Sequence, residues 1–282
     1  MKMRIFSLAL GAGFLFLFSF TAVFVYRFSK ADSKPAETET GEESYIYTEP
    51  AVFLLVFENG GEYGPFSLVA LDVENGRIPV FSFSGNTAME YSGTVLTASE
   101  LFSVSSEKVF AGAAEKTLGV EIDGYFIWNE ESAENIISKS GSFDYVLPES
   151  LKYTDGKRYI DLSAGVQSMT GKKFFDIVTY PKYSEAERCE TLSRMLAECL
   201  RRRLRRFLPE NGDLSSVLYR STKTDVSAIE REQHLAAIRE LLSTGRISSS
   251  HVTCDVIKDE ATGFFRFSDE TLLRVKKYFS WE

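Results

Sequence analysis

The side chains of this sequence that could do chemistry are basic, and they would act on a phosphate. Lys172, Lys173, Lys182 and Arg188 lie close together in the chain. Guanidinium and ammonium groups hold phosphate oxygens through charge-assisted hydrogen bonds, whereas a metal-assisted transfer also needs carboxylates to hold the ion. No carboxylate pair is evident beside these cations. The sequence therefore supplies cations for a phosphate without evident ligands for a metal.

Hydroxyl, imidazole and thiol groups give weaker signals. Ser82, Ser84 and Thr87 could be considered as nucleophiles, but neither histidine of the chain has a sequence link to them. His251 and Cys254 have the spacing of half a metal site, although a second pair of ligands is missing. We therefore expect the His-Cys pair to have a packing role.

A second basic segment is "RRRLRRF" (201–207), which contains five arginines. It could bind anionic lipid headgroups or phosphate-rich wall polymers. The alternative is that its cations complement the C-terminal dipole of a helix, with Leu204 and Phe207 continuing the buried stripe of that helix. We favour the second interpretation.

Composition disfavours one class of partner. The chain has 282 residues, of which 44% are hydrophobic, enough for one large folded domain. Its formal charge of −8 argues against a nucleic-acid partner, because phosphate backbones select basic surfaces. The three cysteines, Cys189, Cys199 and Cys254, are too few and too scattered for a disulfide framework, so we expect free, packed thiols.

The first part of the chain predicts a membrane anchor. Residues 5–26 form an uncharged apolar run that rises about 33 Å as a helix and covers the hydrocarbon core of a bilayer. We expect residues 1–4 in the cytoplasm and the main domain outside it, in a single-pass protein of the cell membrane. The alternative is a cleaved signal peptide with Ser29 and Ala31 at the cleavage site. It is disfavoured because the run exceeds the usual ~7–15 apolar residues and Arg27 separates it from that site.

Residues 27–49 are rich in acidic side chains and have no apolar periodicity, which predicts a flexible linker.

The main domain then covers residues 50–282. It opens with "AVFLLVFE" (51–58), a continuous apolar run typical of a strand buried on both faces. "FSLVALDVENGRIPVFSFS" predicts two strands joined by a turn at residues 74–76. Asp72 and Asp176 fall within predicted strands and are expected to be structural or surface acids.

Helical segments alternate with these strands. "TASELFSVSSEKVFAGAAEKTLG" has helical spacing and ends at Gly119, and "EESAENIISKSG" ends at Gly141. An apolar stripe predicts a helix between residues 184 and 207, and a further helix is expected to begin at Thr224 or Asp225 and to stop at Gly245. The chain ends in a predicted hairpin and an amphipathic helix. Strands interleaved with helices predict a layered α/β domain.

The order of these segments resembles the LytR-CpsA-Psr family of cell-envelope proteins. Many weak matches over residues 50–281 carry the resemblance, among them "VFLLVF", "TLGVEIDGYFIWN", "IDLSAGVQSMTGKKFFDIV" and "GFFRFSDETLLRVKKYF". It implies a three-layer α/β/α sandwich with a mixed central sheet and a deep apolar pocket for a polyprenyl chain. It also implies transfer of a glycopolymer from a polyprenyl pyrophosphate to the cell wall, aided by a divalent metal.

Most charged positions of that family's site are replaced in this sequence. The family's Ser-Asp-Thr segment has Gly64 in place of the aspartate. Its Pro-Arg-Asp segment is Ser84, Gly85 and Asn86 here, and only Thr87 follows the pattern. Two of the three family segments thus lack their charges.

The third segment is an Arg-x-Arg pair after "FFDIV", which we interpret as a strand. Thr179 and Pro181 replace that pair, Glu185 stands where an arginine would begin the next helix, and only Arg188 matches. The residues left as candidate ligand contacts are Thr87, Lys182 and Arg188.

The replacement of these charged residues favours a binding function over a transferase function. One preorganised charge-stabilising group typically contributes about 3 kcal/mol to transition-state stabilisation, and about six positions are changed together. We therefore expect a membrane-anchored, extracytoplasmic domain without a metal or other cofactor, which binds a polyprenyl lipid by its chain or binds an envelope protein. One alternative is an active transferase that uses Mg²⁺ and relocated cations at Lys182 and Arg188. The other is a structural domain whose pocket has closed.

Overall fold

The computed structural model describes residues 50–156, 158–245 and 247–280. The predicted cytoplasmic segment, membrane anchor and linker (1–49) lie outside these residues. Within the described ranges, no helix combines the length and the apolar character that crossing a bilayer requires.

Fourteen strands and eight α-helices make up the described domain. The strands are β1 (Ala51–Asn59), β2 (Glu62–Leu71), β3 (Arg77–Phe83), β4 (Ala88–Tyr91), β5 (Thr94–Thr97), β6 (Gly124–Trp128), β7 (Phe143–Leu147), β8 (Leu151–Thr154), β9 (Tyr159–Leu162), β10 (Gly165–Met169), β11 (Lys223–Thr224), β12 (Ser248–Val252), β13 (Val256–Lys258) and β14 (Phe265–Phe267). The helices are α1 (Ala98–Val104), α2 (Glu107–Leu118), α3 (Glu130–Ser140), α4 (Gly171–Val178), α5 (Glu185–Arg203), α6 (Leu214–Ser221), α7 (Ala228–Ser243) and α8 (Asp269–Phe279). Two 3-10 helices, Leu204–Phe207 and Pro209–Asn211, follow α5.

A mixed sheet of six strands forms the centre, in the order β11-β6-β1-β2-β3-β12. β1 pairs antiparallel with β2 and parallel with β6, and β3 pairs antiparallel with β2 and parallel with β12. The mixed α/β fold and the mixed central sheet are as predicted. Two-stranded sheets, including β7-β10 and β8-β9, surround it.

The apolar run of β1 explains how the domain is built. All residues from Ala51 to Phe57 are buried, and they alternate between two hydrophobic clusters. Phe53, Leu55 and Phe57 belong to a cluster completed by α3, α4, α5, α6 and α7, whereas Val52, Leu54 and Val56 belong to a cluster completed by α1, α2 and α8. Because successive side chains of a strand point to opposite faces, β1 serves both clusters.

Several local predictions agree with the structure. Asn75 and Gly76 form the turn between β2 and β3, and Gly119 ends α2 in the left-handed conformation. The predicted helix over 97–119 is two helices, because Ser106 caps a second one. The three cysteines are free thiols, as predicted.

Two sequence interpretations are wrong. "FFDIV" (174–178) is not a strand but lies in α4, whose N-terminus is capped by Thr170. Gly171 starts this helix against α3, where a Cβ would collide with the backbone of Glu134. The cap of α7 is neither Thr224 nor Asp225 but Ser227, which forms a capping box with Glu230.

Strand directions bring the candidate site residues to one edge of the sheet. β1, β3 and β6 run in the same direction and β2 runs against them, so three carboxyl ends and the amino end of β2 share this edge. Gly64 and Gly85 meet there: a Cβ on Gly64 would lie 3.1 Å from the Cα of Gly85. Ser99 closes the contact, since its backbone N–H donates to the Gly85 carbonyl at 2.9 Å and its hydroxyl donates to the Tyr63 carbonyl.

This close approach predicts the effect of adding a side chain at Gly85. A Cβ there would overlap Oγ of Ser99 and lie 3.1 Å from the Tyr63 carbonyl oxygen. We expect Gly85→Ala to lower the free energy of unfolding by roughly 1–3 kcal/mol, the usual cost of overpacking. The measurement is urea unfolding of the full chain.

Ser99→Ala supplies the control, because it removes the overlapping atom at a cost of about 0.5–1.5 kcal/mol for the lost hydrogen bond. The double variant, Gly85→Ala with Ser99→Ala, should then lose less free energy of unfolding than the two single variants lose together. Additive effects would contradict the steric explanation.

Candidate functional site

The first turn of α5 is joined to the end of β3 at this edge. The hydroxyl of Ser84 donates to Oε2 of Glu185 at 2.6 Å, and the backbone N–H of Asn86 donates to the Ser84 hydroxyl at 3.0 Å. A carboxylate in the first turn of a helix is also favoured by the helix dipole. Glu185 thus connects two elements of the fold.

Arg188 lies one turn further along α5 and reaches the end of α4. Its Nη1 donates to the Val178 carbonyl at 2.9 Å, and its Nε lies 3.8 Å from Oε1 of Glu185. A cation at the last carbonyls of a helix is stabilising. Arg188, a candidate ligand contact from the sequence, is therefore bonded within the fold.

A second arginine, Arg158, reaches the same place from the loop between β8 and β9. Its Nη2 lies 2.9 Å from Oδ1 of Asp176 and also donates to the Thr179 hydroxyl, while Nη1 donates to the Thr179 carbonyl at 3.3 Å. Lys172 binds the other oxygen of Asp176 at 2.8 Å. Sequence analysis missed Arg158 because the pairing depends on the tertiary position of a hairpin, for which the local sequence carries no signal.

The other candidate positions differ in exposure. Thr87 is fully buried, and its hydroxyl has no hydrogen-bond partner within the described residues. Thr179 is buried and donates to the Phe175 carbonyl at 2.6 Å. Asn86, Pro181 and Lys182 are exposed. The structure therefore brings Gly64, Gly85, Glu185, Arg188 and Thr179 to one region, with Lys182 at its margin.

Lys182 borders an open groove with the β8-β9 hairpin. The groove has a volume of about 380 Å³, and Lys152, Tyr153, Tyr159 and Asp161 contribute to its walls. It connects to the candidate site through Tyr180, whose hydroxyl donates to the Lys152 carbonyl at 3.2 Å. The lysine thus faces the hairpin and solvent.

The residues of this edge do not fit the divalent metal that the resemblance implies. Glu185 accepts a hydrogen bond from Ser84, and Asp176 binds both Arg158 and Lys172. A hard cation needs several oxygen ligands around one point. In residues 50–156, 158–245 and 247–280, no group of three or more His, Cys, Asp or Glu side chains is placed to hold an ion.

The hydroxyl and thiol groups near the site are not poised as nucleophiles. The Ser82 hydroxyl is buried and linked to those of Ser67, at 2.7 Å, and Ser193, at 2.8 Å. Burial raises the pKa of the Cys189 thiol well above its usual value and that of Cys254 to about 12, so both stay protonated. Nε2 of His251 lies 3.1 Å from Oε1 of Glu190, and the described structure has no hydrogen bond between this imidazole and the hydroxyls of Ser67, Ser82 or Ser193.

An apolar cavity of about 110 Å³ lies between the sheet and helices α3, α5, α6 and α7. Its walls include Phe53 and Val69 from the sheet and Ile137 from α3. One end is formed by Trp128, the last residue of β6, and by Phe174 of α4. This end of the cavity therefore lies at the same edge of the sheet as the candidate site.

The size of the cavity limits what it can hold as described. An engineered apolar cavity of about 150 Å³ in another protein stays dry and binds benzene. A cavity of about 110 Å³ therefore takes the end of an apolar chain but not a whole polyprenyl chain.

A few polar groups interrupt the apolar wall. His234 is 8% exposed, packs edge-on against Phe53 with ring centroids 4.7 Å apart, and leaves Nδ1 without a partner in the described structure. Burial lowers the pKa of His234 to about 4. Burial also raises the pKa of Tyr219 to about 12 and that of Cys199 to about 12. All three side chains are neutral near pH 7.

Comparison with solved structures finds this fold in bacterial proteins. A crystal structure from Eubacterium siraeum, named as a transcription regulator, has a TM-score of 0.72 and 14% identity over 87% of this chain and 98% of its own. TagV of B. subtilis has a TM-score of 0.64 and 16% identity over 82% of this chain and 96% of its own. TagT bound to LI-WTA has a TM-score of 0.60 and 12% identity over 82% of this chain and 89% of its own.

No protein-family model matches the chain, and no curated protein matches its sequence. At identities this low, the likeness to solved structures establishes the fold alone. The described domain shares that fold with TagV and TagT, two proteins of the LytR-CpsA-Psr family.

Proposed function

We propose that this chain is a membrane-anchored, extracytoplasmic protein of cell-envelope polymer biogenesis that acts by binding and not by catalysis. Its ligand is a polyprenyl lipid, and the apolar cavity holds the end of the lipid chain. An envelope protein bound at the same domain is the other ligand that this role admits.

One observation carries the proposal: the cavity ends at an edge whose charged groups are already paired within the fold. Arg188 and Arg158 bind carbonyls at the end of α4, and Asp176 and Glu185 are bonded by side chains of the domain. A pyrophosphate would have to displace these internal partners. Since each missing charge-stabilising group costs about 3 kcal/mol of transition-state stabilisation, binding of the apolar chain survives more readily than transfer chemistry.

The envelope role is supported by the shared fold. TagT, which has this fold, is bound to LI-WTA in its solved structure. From that structure we carry over to this chain only the general class of ligand, one that belongs to the cell envelope. Some structural neighbours are named transcription regulators, but a formal charge of −8 disfavours binding to a nucleic-acid backbone.

The first test is lipid occupancy of the cavity. We expect native mass spectrometry of the full chain, extracted gently in detergent, to detect one bound polyprenyl lipid. Ile137→Phe places a larger side chain in the cavity and should abolish this occupancy, whereas Ile137→Val enlarges the cavity and should retain it. The Phe variant should cost roughly 1–3 kcal/mol by overpacking, so its fold is checked by thermal unfolding. A lipid-free wild-type chain would favour a purely structural domain.

A second prediction concerns pH, because His234 is buried in the wall of the cavity and is neutral near pH 7. Its pKa is about 6.5 in the unfolded chain and about 4 in the fold, so the unfolded chain binds more protons between these values. The stability contribution of the neutral imidazole is therefore complete above pH 6.5 and is lost as pH falls toward 4, by up to about 1.4 kcal/mol per unit. His234→Leu should remove this part of the pH dependence. The measurement is the free energy of unfolding of the wild type and of His234→Leu at several pH values. If the two free energies change in parallel from pH 7 to pH 4.5, this prediction is wrong.

An active transferase is the second candidate, and one observation favours it. Arg158 and Arg188 converge on the carbonyls of two consecutive residues, Val178 and Thr179, close to where the family places an arginine pair. Under our proposal, the purified full chain should not transfer glycopolymer from a polyprenyl-pyrophosphate donor with Mg²⁺ present. If the wild type transfers glycopolymer, and the rate falls at least tenfold in Arg158→Ala, Lys182→Ala or Arg188→Ala, the binding-only role is wrong. The substituted cations would then act in catalysis. Lys139→Ala, on α3, is the matched control.

A further inference from the structure

Arginines are concentrated at the end of α5 and in the 3-10 helix that follows it. Residues 201–207, "RRRLRRF", contain five arginines and no acidic residue, in a chain whose formal charge is −8. Glu198, on the preceding turn of α5, binds both Arg201 and Arg202. One carboxylate and a helix dipole of about half an elementary charge offset only part of the positive charge of this arginine segment.

Two side chains of the arginine segment are not engaged by the fold. Arg205 is exposed and has no hydrogen bond or ion pair to any residue in the described part of the chain. Arg206 is exposed and makes only a long contact, 3.5 Å, to a backbone carbonyl. Arg203 donates to the carbonyl of Ser142 and so brings the segment beside the end of α3, where Lys139 is exposed. Exposed cations in this state bind the phosphate oxygens of an anionic surface.

The direction of α5 places the arginine segment at one end of the domain. Glu185, in the first turn of α5, is bonded to Ser84 at the end of β3. Near the other end of the helix, the Ala197 carbonyl accepts a hydrogen bond of 2.7 Å from the hydroxyl of Ser249. Ser249 lies near the start of β12, which is parallel to β3. α5 thus runs against β3, and the arginine segment lies at the edge of the sheet where β3 and β12 start.

The chain enters the domain at this same edge. β1 and β3 run in the same direction, so Ala51, the first residue of β1, lies where β3 starts. The predicted membrane anchor (5–26) is joined to this point through residues 27–49. A flexible linker of that length spans roughly 25–30 Å on average. A bilayer that holds the predicted anchor is therefore within reach of the arginine segment.

Two anionic occupants of the segment have to be compared, the bilayer and the acidic linker. Binding of the linker would order a flexible chain, and the entropy lost per residue exceeds what an exposed ion pair returns. A bilayer surface needs no such ordering, and the tether raises its effective concentration at the domain. The rest of the chain is strongly acidic, since the formal charge is −8 despite these arginines, so an anionic surface also orients the domain. Both arguments favour the bilayer.

We propose that the arginine segment is a membrane-docking surface that binds the headgroup phosphates of an anionic phospholipid bilayer. Arg205 and Arg206 contact the phosphates, and Lys139 adds to the positive field at this end of the domain. The inference rests on the proposed function in one respect, that the chain is membrane-anchored. Arg188 and Arg203 are separated by about 22 Å along α5. The docked domain thus holds the candidate site at its end away from the bilayer.

Energy transfer from two labelled positions tests the docking. The full chain is reconstituted in vesicles of phosphatidylcholine, or of equal parts phosphatidylcholine and phosphatidylglycerol, that carry an acceptor dye on some headgroups. The donor dye is attached to Ser142→Cys, beside the arginine segment, or to Asn59→Cys, at the opposite end of β1, and both positions are exposed. We expect phosphatidylglycerol to increase transfer from position 142 and to decrease transfer from position 59. The unsubstituted chain, labelled in parallel, corrects for the native thiols.

Charge variants test which residues dock. Arg205→Glu with Arg206→Glu should lower the ratio of docked to undocked domain on the order of 25-fold or more, because each basic residue near an anionic membrane contributes about a factor of five. A salt concentration of about 1 M, at which the screening length is about 3 Å, should also abolish docking.

Lys108→Glu with Lys258→Glu is the control matched in charge. Both lysines are exposed and lie toward the other end of the domain, near the ends of β6 and β3. This control should change the docking ratio by less than about twofold, since charges beyond a screening length contribute little. Thermal unfolding checks that each variant keeps its fold.

Flotation of the vesicles separates this inference from the proposed function. A chain that floats with both kinds of vesicle, but whose energy transfer ignores phosphatidylglycerol or the arginine variants, overturns the docking surface and leaves the anchor standing. A chain that floats only with phosphatidylglycerol vesicles, and no longer does so in the arginine variant, supports the docking surface and overturns the anchor. A chain that floats with neither overturns both. A response to soluble polyphosphate but not to phosphatidylglycerol overturns membrane docking and identifies a polymer ligand.

Discussion

The burial of β1 on both faces is the constraint on which the other features depend. A strand of continuous apolar residues cannot leave either face in water, so helices must cover both sides of the sheet. The same strand then fixes the direction of its neighbours through pairing with β2 and β6. As a result, the end of β3, the start of β2 and the first turn of α5 meet at one edge.

That edge is held together by charges. Asp176 is buried and bonded by two cations, and removing one partner of such a pair costs more than the pair contributes as a whole. Glu185 and Arg188 similarly connect α5 to β3 and to the end of α4. Charged groups that stabilise the joint between elements are not free to grip a ligand. The charged groups at this edge thus serve the fold.

Local sequence predicted the strands and helices around β1 well, because apolar runs, turn residues and capping residues act over a few positions. "FFDIV" was misread because apolar residues at four of five positions fit a strand and a helix equally. The start of α7 was misplaced because Asp225 accepts a hydrogen bond from the backbone of Tyr125, a contact that only the folded chain provides. The contacts of Arg158 could not be predicted for the same reason, since they depend on the tertiary position of a hairpin.

The distribution of charge along α5 follows the dipole of the helix. Acidic residues Glu185, Glu187 and Glu190 lie in its first half, and Arg201, Arg202 and Arg203 lie in its last turn. This arrangement complements the helix dipole and stabilises the helix at both ends. A helix N-terminus ordinarily attracts anions through its free N–H groups, but here carboxylates already occupy that end. The N-terminal end of α5 is therefore a poor place for a second anion such as a phosphate.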